Sequence, residues 1–276
     1  MKRSLMIARF PGGDVEHPDC VDWLLQAYAW AKDEPTISEI GLWRMNDTPV
    51  SMSRNAAIAT AQHKHFDYVL MVDSDMAPDC EPGGKPFLPT AWQFALAHDG
   101  PCLVGAPYCS GPPIEKALAY RWNAEPNGTP RLEEYSREEA AQRTGIERVA
   151  ALATGLMLID MRAIAKLTPP YFHYEFTDSR QVRKASTEDI VFTRDLSIAG
   201  VPLFINWESW AGHWKAKLVR KPEVLHVSEA QSRLATLLRT REASNAPEAI
   251  PPVAPVVAAD PPESTEPQLS LLDSGD

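Results

Sequence analysis

Short apolar stretches alternate with amphipathic stretches from the N-terminus to about residue 241. The apolar stretches have the length of β-strands, whereas the amphipathic ones repeat their apolar positions with the period of a helix. Alternating strands and helices are typical of an α/β layered fold. Because the strands are apolar throughout, we expect a sheet that is buried on both faces and mostly parallel. The predicted strands are Leu5–Phe10, Ile37–Trp43, Tyr68–Val72, Cys102–Ala106, Ala150–Asp160 and Pro202–Asn206.

Helices are predicted between these strands. A helix over Cys20–Ala31 is expected to be capped by Asp19, and a helix that ends near His63 is expected to be capped by Ser51 or Ser53, because Asp and Ser accept hydrogen bonds from the first turn. The other predicted helices are Thr90–His98, Glu188–Ala199 and an amphipathic Ser228–Arg241.

Between Cys109 and Arg148 the pattern weakens. Paired prolines at 112–113 and the dipeptide Asn127-Gly128 are turn signals, and only a charged helix near Ser136–Gln142 interrupts them. This stretch is predicted to be an irregular excursion or flap.

The pattern predicts three segments: one α/β domain over 1–227, a C-terminal helix over 228–242 that packs on it, and a tail over 243–276. From Ala246 to Pro267 the tail consists mainly of Pro, Ala, Val and acidic residues, without an amphipathic period. Such a segment cannot offset its ordering entropy by burial, so the tail is predicted to be disordered.

Composition supports a globular protein. The chain is 44% hydrophobic and 23% charged, which is ordinary for soluble domains. No apolar run approaches the roughly 18–20 residues of a membrane span. The run Leu5–Phe10 is shorter than the core of a signal peptide, which takes about 7–15 residues, so we expect a cytoplasmic protein. The four cysteines form no C-x-x-C pair, which disfavours a structural zinc site or disulfide framework.

The net charge of −10 is unevenly distributed. The stretch from Ala243 to the C-terminus contains six acidic residues and no Lys or Arg, which leaves a net charge of −4 on the preceding part. Within that part, Trp214–Arg241 contains seven basic residues and two acidic ones. An acidic average is therefore compatible with one basic face that attracts phosphates.

The sharpest chemical feature is a pair of carboxylates, Asp73 and Asp75, directly after the apolar strand Tyr68–Val72. Open α/β sheets bind ligands beyond the carboxyl ends of their strands. Two carboxylates aimed at one point repel each other unless a cation lies between them. Oxygen ligands favour Mg²⁺ or Mn²⁺, which are commonly shared with substrate phosphates. The alternative interpretation is a solvated Asp-Ser-Asp turn.

Three more candidate sites follow the order of the chain. Arg54, at a helix start, can hold a carboxylate or a phosphate, or it is an ordinary surface arginine. Glu188 and Asp189 begin a helix, where acids also serve simply as favourable partners of the helix dipole. His213 lies among tryptophans; imidazole is a common metal ligand, although a lone histidine is more often structural.

Taken together, these motifs resemble those of GT-A-fold glycosyltransferases, in the style of the family 2-like enzymes often encoded by phages. The resemblance covers roughly Leu5 to His213 and depends on the order and spacing of its parts. In chain order the parts are Arg54-Asn55, the strand with Asp73-Ser74-Asp75, Ala153-Thr154-Gly155-Leu156-Met157, Glu188-Asp189 and Gly212-His213.

The resemblance implies a single GT-A (Rossmann-like) domain that uses a nucleotide-sugar donor and a divalent metal, Mn²⁺ or Mg²⁺. It implies that Asp73, Asp75 and His213 are the metal ligands. Asp189 then matches the general base of inverting members, with Glu188 beside it on the sugar or acceptor. The residues implied to bind the donor are Pro11, Arg54, Asn55, Asp73, Ser74, Asp75 and Gly155.

The acceptor is the least constrained partner. The candidate stacking surfaces for an acceptor base or sugar are Trp122, Trp207, Trp210 and Trp214. Gln268–Leu272, Gln-Leu-Ser-Leu-Leu, resembles the short motif with which proteins bind bacterial sliding clamps. If that motif works, the acceptor is a hydroxylated base in phage DNA; a glycan, lipid-linked or small-molecule acceptor is the alternative.

Three other functional interpretations stay open. A retaining enzyme would use the same metal site without a carboxylate base at Asp189. A non-catalytic module of the same fold would bind nucleotide or DNA without turnover. A nucleotidyltransferase also uses a metal on an α/β sheet, but it usually has a basic glycine-rich loop after the first strand, and Pro11-Gly12-Gly13-Asp14 contains no Lys or Arg.

Overall fold

A computed structural model describes residues 2–11, 16–46, 48–125, 128–215, 218–219 and 221. All of them belong to one compact unit. The helices are α1 Pro18–Asp33, α2 Val50–His63, α3 Phe87–Ala97, α4 Arg137–Gln142, α5 Met161–Ile164 and α6 Glu188–Ile198. The strands are β1 Arg3–Phe10, β2 Ile37–Arg44, β3 Tyr68–Asp73, β4 Met76–Ala77, β5 Leu103–Gly105, β6 Ala119–Ala124, β7 Pro130–Glu134, β8 Ile146–Val149, β9 Ala151–Leu152, β10 Leu156–Asp160, β11 Glu175–Phe176, β12 Lys184–Ser186, β13 Leu203–Asn206, β14 Gly212–Trp214 and β15 Leu218–Val219.

The centre of the fold is a seven-stranded sheet in the order β2-β1-β3-β10-β5-β13-β8. Strands β2, β1, β3, β5 and β13 run in one direction, and β10 and β8 run against them. The prediction of an α/β fold with a mostly parallel central sheet, Rossmann-like in its arrangement, is therefore confirmed. The antiparallel insertion of β10 between β3 and β5 was not predicted.

Strands β1 and β3 are buried on both faces, as their composition predicts, whereas the edge strand β2 contains no buried residue. Met6 and Ala8 of β1 pack in one hydrophobic cluster, whereas Leu5 and Ile7 pack in the other, on the opposite side of the sheet. All four side chains are fully buried. Full burial of a Leu, Ile or Met side chain contributes about 1.5–3 kcal/mol each, which makes these central strands the rigid base of the fold.

Two helix starts differ from the sequence prediction. Helix α1 is capped by His17, whose Nδ1 accepts a hydrogen bond from the backbone N–H of Asp19, so Asp19 is not the cap. Pro18 occupies the first helical position, where its missing N–H costs nothing. Helix α2 starts after Pro49 without a side-chain cap, and Ser51 and Ser53 are buried inside it.

The predicted flap contains regular structure. Strands β6 and β7 form an antiparallel hairpin, and β6 also pairs with β9. The predicted charged helix is confirmed as α4, where Ser136 and Glu139 form a reciprocal capping box. The predicted strand Ala150–Asp160 is in fact two strands, β9 and β10, separated by residues 153–155.

Several predictions lie outside the described residues. They concern the helix over Ser228–Arg241, the disordered tail and the motif Gln268–Leu272. Within the part of the chain that the structure describes, no helix is long and apolar enough to cross a membrane.

Candidate active site

A pocket opens where the parallel strands β1 and β3 end. Asp73 is the last residue of β3 and pairs with Phe10 at the end of β1. The pocket has a volume of about 550 Å³. Its wall includes Pro11, Asp73, Ser74, Asp75 and Trp214. This is the edge at which open α/β sheets bind their ligands, so the structure brings the predicted carboxylates to the expected place.

Arg54 joins three elements beneath this pocket. Its Nη2 donates to both carboxylate oxygens of Asp73, at 3.0 and 2.8 Å, and its Nη1 donates to Oε1 of Glu188 at 2.6 Å. The Arg54 side chain, in the second turn of α2, and Glu188, at the start of α6, are buried. Arg54 therefore connects α2 and α6 to the end of β3.

The cluster around Arg54 contains more carboxylates than cations. Burial alone would lower the pKa of Arg54, but the carboxylates of Asp73, Asp189 and Glu188 outweigh it and raise the pKa. Burial raises the pKa of Glu188 above its ordinary value, against the opposing effect of Arg54. Arg54 thus stays charged although it is buried, because three carboxylates lie near its guanidinium.

Asp75 lies in a second ion-paired group. Strand β14 pairs with β4, which places His213 opposite Met76 and beside Asp75. Nε2 of His213 is 3.3 Å and Nζ of Lys215 is 2.6 Å from Oδ2 of Asp75. Burial acts to raise the pKa of Asp75, but hydrogen bonds and charge from His213 and Lys215 bring the pKa down to about 2.

A backbone carbonyl group sets the orientation of the His213 ring. Its Nδ1 lies 2.8 Å from the carbonyl oxygen of Cys109. A carbonyl only accepts, so Nδ1 carries a proton and Nε2 faces the carboxylate of Asp75. This is the arrangement by which proteins orient metal-binding histidines, with one ring nitrogen on a backbone carbonyl and the other toward the ion.

The three predicted metal ligands do not converge. Among the residues that the structure describes, no group of three His, Cys, Asp or Glu side chains is placed to hold a metal ion. The reason is that Arg54 takes both carboxylate oxygens of Asp73. Asp75 and His213 remain as a two-ligand pair, which fits Mg²⁺ or Mn²⁺ because these ions often keep only one or two protein ligands beside substrate phosphates.

Gly155 lies directly beneath Asp73. Its carbonyl accepts the backbone N–H of Asp73 at 2.8 Å, and its own N–H donates to Oη of Tyr108 at 2.9 Å. A Cβ at this position would lie 2.7 Å from Oη of Tyr108. A side chain is therefore excluded by close packing. Gly155, which the resemblance implies to bind the donor, thus supports the backbone of Asp73.

Asp189, at the start of α6, has its charge near both Tyr108 and Tyr120. Its Oδ1 accepts the backbone N–H of Ile190 at 2.9 Å, and its side chain is only partly buried. Burial first, and then the charge of Asp189, raise the pKa of Tyr108 on the pocket side. Burial, Glu134 and Asp189 raise the pKa of Tyr120 on the flap side.

Asn55 does not act as predicted. Its side-chain amide donates to the carbonyl oxygens of Ser51 and Phe172 and accepts the N–H groups of Tyr171 and Phe172. It joins α2 to the segment at 171–172. A residue whose donor and acceptor atoms are engaged in this way is a structural link, so the prediction of Asn55 as a donor ligand is corrected.

The prediction of Trp207 and Trp210 as acceptor surfaces is corrected as well. Trp207 and Trp210 are 1% and 2% exposed, so neither presents a ring face to an acceptor. The indole N–H of Trp207 donates to Glu147 inside the fold. Trp214 is partly exposed, but it stacks on His17 with 4.0 Å between ring centroids and lines the same pocket as Pro11.

Sequence reasoning missed three residues of the site. His17 stacks on Trp214, Lys215 pairs with Asp75, and Tyr108 supports Gly155. Of these three, only Lys215 could be found from the sequence around a predicted site residue, because it lies two residues after His213. The other two reach the site from distant parts of the chain.

No family model matches the sequence, and no curated protein does. Solved structures do resemble it. The crystal structure of A197 from STIV is 16% identical, with 82% of this chain and 97% of that chain covered and a TM-score of 0.50. UDP-glucose pyrophosphorylase in complex with UDP-glucose is 8% identical over 85% of this chain and 99% of that chain, with a TM-score of 0.42. GalNAc-T7 with UDP, GalNAc and Mn²⁺ is 12% identical over 77% of this chain and 44% of that chain, with a TM-score of 0.40. The similarity to A197 is one of fold.

Proposed function

We propose that this protein is a GT-A-like glycosyltransferase that moves a sugar from a nucleotide-sugar donor to a hydroxyl group with the help of Mn²⁺ or Mg²⁺. One observation carries the proposal. Asp75 lines the pocket beyond β3, and Nε2 of His213 lies 3.3 Å from its Oδ2. A carboxylate beside an oriented imidazole at that edge of an α/β sheet can hold a metal that is shared with a diphosphate.

The metal would be held by Asp75 and His213. A divalent cation there supplies Lewis-acid stabilisation of the negative charge that develops on the leaving diphosphate. Lys215 adds a second positive group, since its ammonium already lies beside Asp75. Asp73 does not take part as a ligand, because Arg54 engages both of its carboxylate oxygens, whereas His213 and Lys215 both pair with the same oxygen of Asp75, Oδ2. Its role is to hold Arg54 and, through its backbone, to position Ser74 and Asp75.

The nucleoside would lie in the pocket of about 550 Å³, a volume within the usual range for small-ligand sites. Pro11 and Phe10 form one side, and Trp214, stacked on His17, forms another. Flat aromatic and proline surfaces bind a base without requiring a particular pattern of hydrogen bonds. Ser74 lines the same pocket between the two aspartates.

Asp189 would accept the proton of the acceptor hydroxyl. A hydroxyl is a poor nucleophile until a carboxylate takes its proton, and the side chain of Asp189, at the start of α6, is only partly buried. Glu188 is held by Arg54, so its role is to position α6. This assignment predicts inversion at the anomeric carbon; a retaining enzyme would not need Asp189 as a base.

The acceptor is a separate proposal. A hydroxylated base in DNA is the narrower choice, and it relies on the clamp-like motif Gln268–Leu272 in the sequence. A glycan or a small hydroxylated molecule is the alternative, and it needs no clamp.

The proposal is tested by incubating the protein with a panel of nucleotide sugars, Mn²⁺ and candidate acceptors. Release of a nucleoside diphosphate together with a glycosylated product is the expected result. A parallel incubation contains a nucleoside triphosphate and a sugar phosphate instead. A nucleotidyltransferase would release pyrophosphate from that mixture. A binding module would bind the nucleotide sugar and convert none of it. Either of these results would replace the proposal.

A further inference from the structure

A groove runs along the flap, away from the pocket that holds Asp73. The β6–β7 hairpin forms one side of it, and β12 with α6 forms the other. It consists of two adjoining cavities of about 970 and 400 Å³ that share Leu132, Ala185 and Ser186. The combined volume exceeds that of a usual site for one small ligand, roughly 300–1,000 Å³. Two adjoining cavities of this size suit a segment of a polymer.

One end of the groove reaches the candidate base. The smaller cavity is lined by Tyr120 and by Thr187 and Ile190, the residues on either side of the acidic pair at the start of α6. The pKa of Tyr120 is raised by burial first and then by the charges of Glu134 and Asp189. This end of the groove therefore lies at the start of α6, the segment that contains Asp189.

The other end offers an aromatic surface. Trp122 lines the larger cavity and is 40% exposed. Its indole N–H donates to Oγ of Ser197 at 3.1 Å, which holds the ring in place by its edge. Ile198, 68% exposed, lines the same cavity. An edge-anchored ring beside an apolar side chain is a stacking surface for a flat partner.

The charges of the groove favour an anion. Its acidic residues are neutralised: Glu134 pairs with Lys116, and Glu175 pairs with Arg194 through two hydrogen bonds of 2.7 Å. Arg131 and Lys184 also line it, and both are exposed.

Neither of these two cations has a carboxylate partner among the residues that the structure describes. Lys184 instead has its ammonium 4.2 Å from the centre of the Tyr174 ring. One uncompensated cation thus lies in each cavity.

We propose that this groove binds the acceptor and that the acceptor is a single-stranded nucleic acid. Arg131 and Lys184 contact its phosphates, an unstacked base lies on Trp122, and the modified nucleotide reaches Asp189. Positive residues that follow a backbone, combined with an aromatic ring for a base, are the features that bind single strands. The identity of the reaction rests on the proposed function, but the binding itself does not.

The test is fluorescence anisotropy of a labelled oligothymidine of about twelve nucleotides, titrated with the full chain in the absence of donor and metal. Arg131→Gln and Lys184→Gln should each weaken binding and lower the slope of log affinity against log salt by about one. Trp122→Leu should weaken binding about tenfold with the salt slope unchanged. Lys64→Gln is the matched control, because this exposed lysine follows the last residue of α2 and lines neither cavity.

Two further probes separate the alternatives. An abasic strand of the same length should bind wild type and Trp122→Leu equally, because only the base uses the ring. Equal binding of the oligonucleotide by wild type and all three groove variants would overturn the proposal. So would binding to phosphatidylglycerol vesicles without binding to the strand, which would make the groove a lipid-phosphate site. Because no donor is present, neither outcome bears on the sugar-transfer proposal.

Discussion

Replacement of Arg54 by Met tests whether the ion pairs of Arg54 with Asp73 and Glu188 stabilise the fold. Arg54 is 3% and Glu188 is 5% exposed, and three hydrogen bonds join Arg54 to Asp73 and Glu188. Arg54→Met keeps much of the volume but leaves two carboxylates without their cation. Removing one partner of a buried pair typically costs about 3–5 kcal/mol. That is a large part of the roughly 5–15 kcal/mol that stabilises a domain.

The assay is thermal and urea unfolding of the full chain. For a domain of this size each kcal/mol shifts Tm by roughly 2–4 °C, so Arg54→Met should lower Tm by about 6–20 °C. Arg121→Met is the matched control. Arg121 also binds two carboxylates, those of Glu133 and Glu139, but at the surface, so its replacement should lower Tm far less than that of Arg54.

A triple variant separates charge from packing. Adding Asp73→Asn and Glu188→Gln to Arg54→Met removes the stranded charges, so the triple variant should recover most of the lost stability. If Arg54→Met unfolds at the same temperature as wild type, the ion-pair centre is not stabilising. If the triple variant recovers nothing, the loss comes from packing against Phe10 and Phe172, whose ring centres lie 5.9 Å from the guanidinium carbon.

Three further predictions follow from the site. Asp189→Asn should reduce turnover by about 10²-fold or more with donor affinity little changed; an NMR spectrum showing retained anomeric configuration would contradict the assignment. Gly155→Ala should destabilise the fold by about 1–3 kcal/mol in urea unfolding, because its Cβ would meet Oη of Tyr108; an unchanged midpoint would refute this. A peptide spanning 267–273 should bind a sliding clamp with micromolar affinity, about −8 kcal/mol, and Leu271→Ala should abolish that binding; calorimetry without heat at high micromolar clamp would exclude the motif.

The central strands could be predicted from the sequence because burial on both faces requires apolar side chains at successive positions. β1 and β3 are apolar at nearly every position, and a short apolar run between polar residues is typical of a strand inside a sheet. Continuous apolar composition favours a mostly parallel sheet as a whole, but a single antiparallel strand inside that sheet is buried on both faces like its neighbours and has the same composition. β10 is as apolar as β3, so its antiparallel course could not be predicted.

The location of the site could be predicted, but its contacts could not. Asp73 and Asp75 are conspicuous because they directly follow an apolar strand. Arg54 and Glu188 are 134 residues apart. The sequence around each residue does not show whether the two form a buried ion pair or act separately, Arg54 as a phosphate ligand and Glu188 as a helix cap. The prediction for Trp207 was wrong for the same reason, because its partner Glu147 lies 60 residues away and makes the ring a core residue.

The most direct test of the sugar-transfer proposal is thermal unfolding with a panel of nucleotide sugars, in Mn²⁺ and in EDTA. Ligand at a hundred times its Kd adds about 2.7 kcal/mol, so one nucleotide sugar should raise Tm by about 5–11 °C in Mn²⁺ and by much less in EDTA. Asp75→Asn should lose the Mn²⁺-dependent gain. Asp33→Asn, an exposed acid at the end of α1, should keep it. Sugar transfer at this site is contradicted if no nucleotide sugar raises Tm, or if the gain is the same in EDTA and in Asp75→Asn.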